Sequence, residues 1–347
     1  MKSLNSKELV YRALAFEPVD RVPYAVDFTG PAREKLCADP EGRLLYERLR
    51  NDLLLSPVLR VEWGVRDAAG YYRDEYGLLW DRRLDEDIGI PQPFLTPENL
   101  DSLRLPDPRA PGRFEALQRS IREHPDRFQV LCLDFSLFER AWGMRGLEAF
   151  LADLLERPDF AEELLDRILL FNLQVIEAGL AACPEVDAVH SGDDFGSQAG
   201  ILMGPDLWRR MLKPRLARQY AAVKAAGKKV SIHSCGKVQE ILDDLVEIGV
   251  DLFNPFQPEV MDVEGLHRRY HGRLAFWGGI STQRLLPYGS PAEVEAEVDR
   301  LLALGRRGGF VIAPAHATPA DARVENMKAM LRRIIEQDGD LSRSRAG

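Results

Sequence analysis

The chain has 347 residues, and its 46 Lys and Arg against 55 Asp and Glu leave a formal net charge of −9 with neutral histidine. That sign argues against a nucleic-acid partner held by phosphate neutralisation, and a composition 45% hydrophobic and 29% charged is that of an ordinary globular protein, neither disordered nor repetitive. No run reaches membrane-spanning length, and Met1 to Phe16 reads as an amphipathic helix rather than a signal peptide, so a cytoplasmic location is expected. The four cysteines, Cys37, Cys132, Cys183 and Cys235, form no disulfide framework, and a reducing compartment leaves Cys235 free to bind metal.

Past the amphipathic start, Val22 to Phe28 is the first candidate strand. A hairpin is expected around Tyr72 to Arg82, and the Pro- and Asp-rich stretch Leu95 to Phe114 reads as a surface connection. Residues 1–100 hold too few clean strand signals for a sheet of their own and are expected to cap a larger body. From Arg127 onward short apolar runs alternate with longer helical patterns, the signature of βα units around a parallel sheet. Candidate strands are 128–135, 186–192, 228–235, 250–255, 273–279 and 309–315. Ser290-Pro291-Ala292-Glu293 reads as a capping box with Pro at the first helical position, and Thr318-Pro319-Ala320-Asp321 is expected to open the last helix in the same way. Gly305, Gly308 and Gly309 stop the preceding helix before the last strand, and Ser342 to Gly347 is expected to fray. The count points to a single (β/α)8 TIM barrel domain over 1–347, with 1–100 as an N-terminal helical and hairpin extension.

In such a barrel functional groups gather where strands end and βα loops begin. Those positions hold Asp134 and Ser136, Asp193 and Asp194, His233 and Cys235, Asn254 and Gln257, Trp277, and His316. In Val230-Ser231-Ile232-His233-Ser234-Cys235-Gly236 the imidazole and the thiol stand at i and i+2, which places them on one face of a strand. His316 closes another apolar run, Phe310 to Ala315, and offers a third ligand. One Cys and two His leave one position open, as in catalytic rather than structural zinc. Asp193, Asp194 and Gln257 are candidates for orienting these ligands in a catalytic role. Asp134, Asn254 and Trp277 are candidates for substrate contact. Arg140 is a further candidate, for a substrate carboxylate, although solvated helix charges are the plainer expectation for Glu139 and Arg140. His190 is expected to be a core histidine, with a fourth ligand as the alternative, and His124, His267 and His271 are expected at the surface. No phosphate-cradling glycine loop, serine nucleophile elbow or dinucleotide fingerprint is present.

These residues resemble the uroporphyrinogen decarboxylase superfamily of (β/α)8 barrels, which includes the decarboxylase and the zinc-dependent corrinoid methyltransferases. The likeness runs over nearly the whole chain, from Glu17-Pro18-Val19-Asp20-Arg21-Val22-Pro23 through Asp74-Glu75-Tyr76-Gly77 to the stretch from Gly308 to Met330. Its most specific pieces are His233-Ser234-Cys235-Gly236, Asn254-Pro255-Phe256-Gln257-Pro258, and Ala313-Pro314-Ala315-His316 followed by Pro319 and Glu325-Asn326.

The HxCG stretch is similar to the methyltransferase branch, where the resemblance implies zinc bound by His233 and Cys235 and a methyl group exchanged with a cobalamin. That branch usually has Cys as third ligand, and this chain departs from it with His316, a chemically competent substitute. True decarboxylases carry an RQAGR motif for the tetrapyrrole carboxylates, whereas the comparable stretch here is Val26-Asp27-Phe28-Thr29-Gly30-Pro31-Ala32-Arg33. The resemblance therefore implies a methyltransferase acting between a small methylated compound or thiol and a corrinoid carried by a partner protein or free. Decarboxylation of a porphyrinogen and non-catalytic tetrapyrrole binding are the alternatives. A homodimer is the default assembly for a soluble enzyme of this size.

Overall fold

The computed structural model describes residues 4–59, 70–83 and 89–337, so the expected frayed tail Ser342 to Gly347 lies outside the described residues. Ten strands are defined among them: β1 (Leu53–Pro57), β2 (Tyr71–Arg73), β3 (Leu79–Asp81), β4 (Ile90–Gln92), β5 (Phe128–Phe135), β6 (Ala188–Gly192), β7 (Lys229–His233), β8 (Leu252–Phe256), β9 (Ala275–Ile280) and β10 (Phe310–Pro314). Seven line up in the order β1-β5-β6-β7-β8-β9-β10, while β2, β3 and β4 form a separate antiparallel sheet. The pairs β5–β6, β6–β7, β8–β9 and β9–β10 are parallel, each bridged by helix as parallel strands require.

The described residues fall into two compact units. The first comprises Met1–Leu54, Asp126–Phe128 and Asp251–Gly347. Here the expected first strand, Val22 to Phe28, is extended chain with parallel bridges Tyr24 to Ile312 and Phe28 to Thr318. On its other edge Asp52 N–H donates to the Tyr24 carbonyl at 2.9 Å. This segment therefore supplies the eighth strand position, and the architecture is the (β/α)8 TIM barrel that the alternation of elements implies. The Asp52 carboxylate fixes the junction, accepting from Tyr24 N–H at 2.9 Å and from both guanidinium nitrogens of Arg21 at 2.6 and 2.8 Å. β1 was not anticipated.

Helix Pro291–Gly305 bears out its start signal, Ser290 forming a reciprocal box with Glu293, and Asn5 caps helix Ser6–Leu14 in the same way with Glu8. The last helix departs from expectation. It is Val324–Glu336, and Thr318 to Asp321 form a turn before it. Thr318 N–H donates to Asp27 O at 2.8 Å and Thr318 O accepts from Thr29 N–H at 3.0 Å, so its backbone serves the long-range pairing instead of a cap.

The second unit comprises Leu55–Pro125 and Gln129–Val250. It carries β5, β6 and β7, whose residues are almost wholly buried, which explains why they read as continuous apolar runs. It also carries the expected hairpin, β2 and β3 paired from Tyr71–Asp81 to Arg73–Leu79. The Asp74 carboxylate fastens the turn, accepting from the N–H groups of Tyr76 and Leu78 and from Trp80 Nε1. No helix among the described residues is long and apolar enough to cross a membrane.

Candidate functional site

β7 ends at His233, so Cys235 stands in the loop beyond the strand rather than on it. Val230 and Ile232 are buried in the core, while Ser231 and His233 alternate onto the opposite face. The turn at Gly236, with φ +87°, folds the thiol back over the imidazole, and Cys235 Sγ lies 3.2 Å from His233 Nε2. A left-handed backbone suits glycine, and here space demands it as well: a Cβ on Gly236 would sit 2.5 Å from the Gly196 carbonyl carbon. The loops after β6 and β7 thus touch backbone to backbone. Ser234 Oγ accepts from Phe195 N–H at 3.0 Å, and Lys237 N–H donates to Ser197 O at 2.8 Å.

Asp194 belongs to the same junction. Its Oδ1 accepts from Cys235 N–H at 2.7 Å and stands 3.7 Å from His233 Nε2. Burial first, then the charges of Asp194 and Glu139, push the Cys235 thiol well above its ordinary value. A thiolate is therefore disfavoured here unless a cation accompanies it.

Asp193 points elsewhere. Its carboxylate accepts from the N–H groups of Leu137 and Glu139, at 3.1 and 2.9 Å, and so caps helix Phe138–Arg145 from a different strand end. Burial nevertheless raises its pKa to about 7, with the backbone hydrogen bonds opposing. The helix it holds carries two residues expected to be solvated, and that expectation is corrected: Glu139 is 8% exposed and Arg140 is 1% exposed. Burial, then Asp194 and Asp193, drive the Glu139 carboxyl well above the usual range. Arg140 Nη1 pairs with Asp74 Oδ2 at 2.8 Å, and its guanidinium carbon lies 3.9 Å from the centre of the Tyr76 ring. Both contacts tie the helix to the hairpin. Sequence reasoning had no signal for them, because the partners lie far away in the chain.

Below the thiol, β5, β6 and β7 present a polar layer. Cys132 pairs with His190 and His190 with Ser231 in the strand register. His190 Nδ1 lies 2.9 Å from Ser231 Oγ, and burial, reinforced by His233, lowers its pKa to about 3, so it stays neutral. It is the core histidine expected. Asp134 shares this face, its Oδ1 accepting from Cys132 Sγ at 3.2 Å. Ser136 turns into a buried network instead, accepting from Gln219 Nε2 and Asn172 Nδ2.

In the first unit Asn254 and Gln257 are buried at the end of β8, and Asn254 Nδ2 donates to the Trp277 carbonyl at 3.1 Å. Trp277 lies within β9, opposite Val311 of β10. His267 is corrected from surface to core: it is 3% exposed, and its Nε2 donates to Gly308 O at 2.9 Å. His124 and His271 are exposed, as expected. His316 follows β10 by two residues and is exposed.

Within the second unit, Cys235 Sγ and His233 Nε2, 3.2 Å apart, are one sulfur and one imidazole nitrogen, a donor pair that suits Zn2+.

A model of the uroporphyrinogen decarboxylase (URO-D) family matches residues 80–337. The methylcobamide:CoM methyltransferase MtaA of Methanosarcina barkeri is 26% identical over 352 residues, covering 95% of this chain and 98% of that protein. Its counterpart from strain Fusaro matches to the same extent. A solved methyltransferase from Methanosarcina mazei superposes with a TM-score of 0.69 at 21% identity over 96% of this chain and 99% of that one, a likeness of fold.

Proposed function

Since the chain belongs to the uroporphyrinogen decarboxylase family, we propose that it is a methyltransferase moving a methyl group between a small methylated compound or thiol and a corrinoid, free or carried by a partner protein. The observation that carries this reading is the approach of Cys235 Sγ to His233 Nε2 at 3.2 Å. The relatives named as methylcobamide:CoM methyltransferases support the same direction. The alternative, porphyrinogen decarboxylation, gains nothing from 26–33, where the one arginine, Arg33, is exposed.

His233, Cys235 and His316 would hold zinc, and bound there it would supply a Lewis acid that polarises a thiol or ether heteroatom at neutral pH. The protein's own part is preparation. Asp194 fixes the Cys235 backbone and so aims the sulfur. Burial keeps the thiol neutral until a cation arrives, so metal uptake releases a proton. Glu139, its carboxyl raised well above the usual range by burial and then by Asp194, is near enough to raise the Cys235 thiol in turn. Asn254, Gln257 and Trp277 are the groups the first unit offers to substrate. Burial, reinforced by His233, holds His190 neutral.

Elemental analysis of the purified protein beside Cys235→Ala and His316→Ala tests this. About one zinc per chain, lost in both variants while circular dichroism is unchanged, is the expected result. Wild-type protein that takes up no zinc, or transfers no methyl group from methylcobalamin to any thiol or from any methoxyl compound, overturns it.

A further inference from the structure

Asp134 has three features that packing does not require. Its backbone is left-handed, with φ +44°, one of two such non-glycine residues in the described chain. The β5–β6 register breaks between Cys132 and Phe135 around it, and Gly192 on β6 leaves room for the detour, since a Cβ there would lie 2.7 Å from the Asp134 carbonyl oxygen. Finally, its Oδ2 is buried and has no hydrogen-bond partner among the described residues. Backbone strain beside an unsatisfied buried oxygen is the combination found where a fold holds a group ready for a ligand.

The side chain shares the sheet face that carries His190, Ser231 and His233, through its bond to Cys132. The cation that acts on it is Arg140, whose Nη1 goes to Asp74 while its Nε and Nη2 have no hydrogen-bond partner among the described residues. A cationic tail would supply what Oδ2 lacks.

We infer that Asp134 is a binding carboxylate for a positively charged amine, and that the small molecule exchanging its methyl group here is an amine-bearing thiol or thioether. The inference rests on the methyl-transfer reading and names the substrate class within it. The sulfur goes to the metal-binding residues and the ammonium to Asp134.

Three thiols of equal reach separate the options: 2-aminoethanethiol, 2-mercaptoethanol and 2-mercaptoethanesulfonate, titrated calorimetrically into zinc-loaded protein. Wild type should bind the amine about tenfold more tightly than the neutral thiol, the factor expected of one partly buried charge-assisted bond, and the sulfonate most weakly. Asp134→Asn and Asp134→Gly both tolerate the left-handed backbone, so both should fold and lose the preference for the amine over 2-mercaptoethanol. Equal affinities in wild type, preference for the sulfonate, or an amine preference that survives both variants overturns the inference alone. Binding in the expected order with no methyl transfer from methylcobalamin sinks the methyl-transfer reading and leaves the amine subsite standing. Binding of none of the three sinks both.

Discussion

The Oδ1 of Asp194 accepts the Cys235 N–H at 2.7 Å, so the second residue after β6 bears on where the sulfur after β7 points. Removing that acceptor leaves His233, Cys235 and His316 in the chain but frees the loop that aims one of them. Asp194→Ala is expected to keep the fold and weaken zinc binding about 10- to 100-fold, the usual cost of losing a group that orients a ligand. Competition with a chromophoric chelator measures it, and an unchanged zinc affinity would assign Asp194 a surface role only.

A second prediction concerns the buried pair that joins hairpin to helix. Arg140 and Asp74 have side-chain exposures of 1% and 0%. Asp74→Leu alone strands the guanidinium and should cost about 3–5 kcal/mol in urea unfolding, whereas Asp74→Leu with Arg140→Met should recover most of it. A double variant as unstable as the single one would mean that hydrogen bonds from Asp74 to the turn, and not the ion pair, carry the effect.

Asp134 supplies a pH test. Burial raises its pKa from 3.8 to about 6. The folded state therefore holds a proton that the unfolded state has released, and stability falls as pH rises from about 4 to about 6, then levels. Asparagine does not titrate, so Asp134→Asn should gain about 1–3 kcal/mol relative to wild type across that window. Thermal melting of both proteins at closely spaced pH values follows the difference. A flat difference would mean that the carboxyl is better solvated than its surroundings indicate.

Much of the fold was legible because the strands from Phe128 onward are buried on both faces, which writes them as unbroken apolar runs. β1 was not, because Leu-Leu-Leu-Ser-Pro is too short an apolar run to distinguish from a helix segment. At the site, His233 and Cys235 were found from spacing alone, though their approach is made by the Gly236 turn and not by strand alternation. Glu139, Arg140 and His267 were misplaced for one reason. Their partners, Asp193, Asp74 and Gly308, stand 54, 66 and 41 residues away in sequence, and a local window sees the charge but not the contact.

The final prediction is steric. Gly236→Ala forces a methyl group against Gly196 at a backbone angle that disfavours it, so a loss of about 2–3 kcal/mol is expected, along with weaker zinc binding. Gly236→Ser should behave alike. Unfolding and zinc titration of the same samples check both effects, and a stable variant with wild-type zinc affinity would show that the loop has an alternative path.

The contact of Gly196 with Gly236 also bears on how such a barrel can diversify. Loops at strand ends are usually treated as interchangeable modules, each free to lengthen or be replaced without regard to its neighbour. Here the two loops share a surface with no side chain between them, so neither can accept an inserted residue at the contact unless the other yields. A graft that moves the thiol-bearing loop into another barrel must bring the Asp194 to Gly200 loop with it, and natural variation at one should be answered at the other.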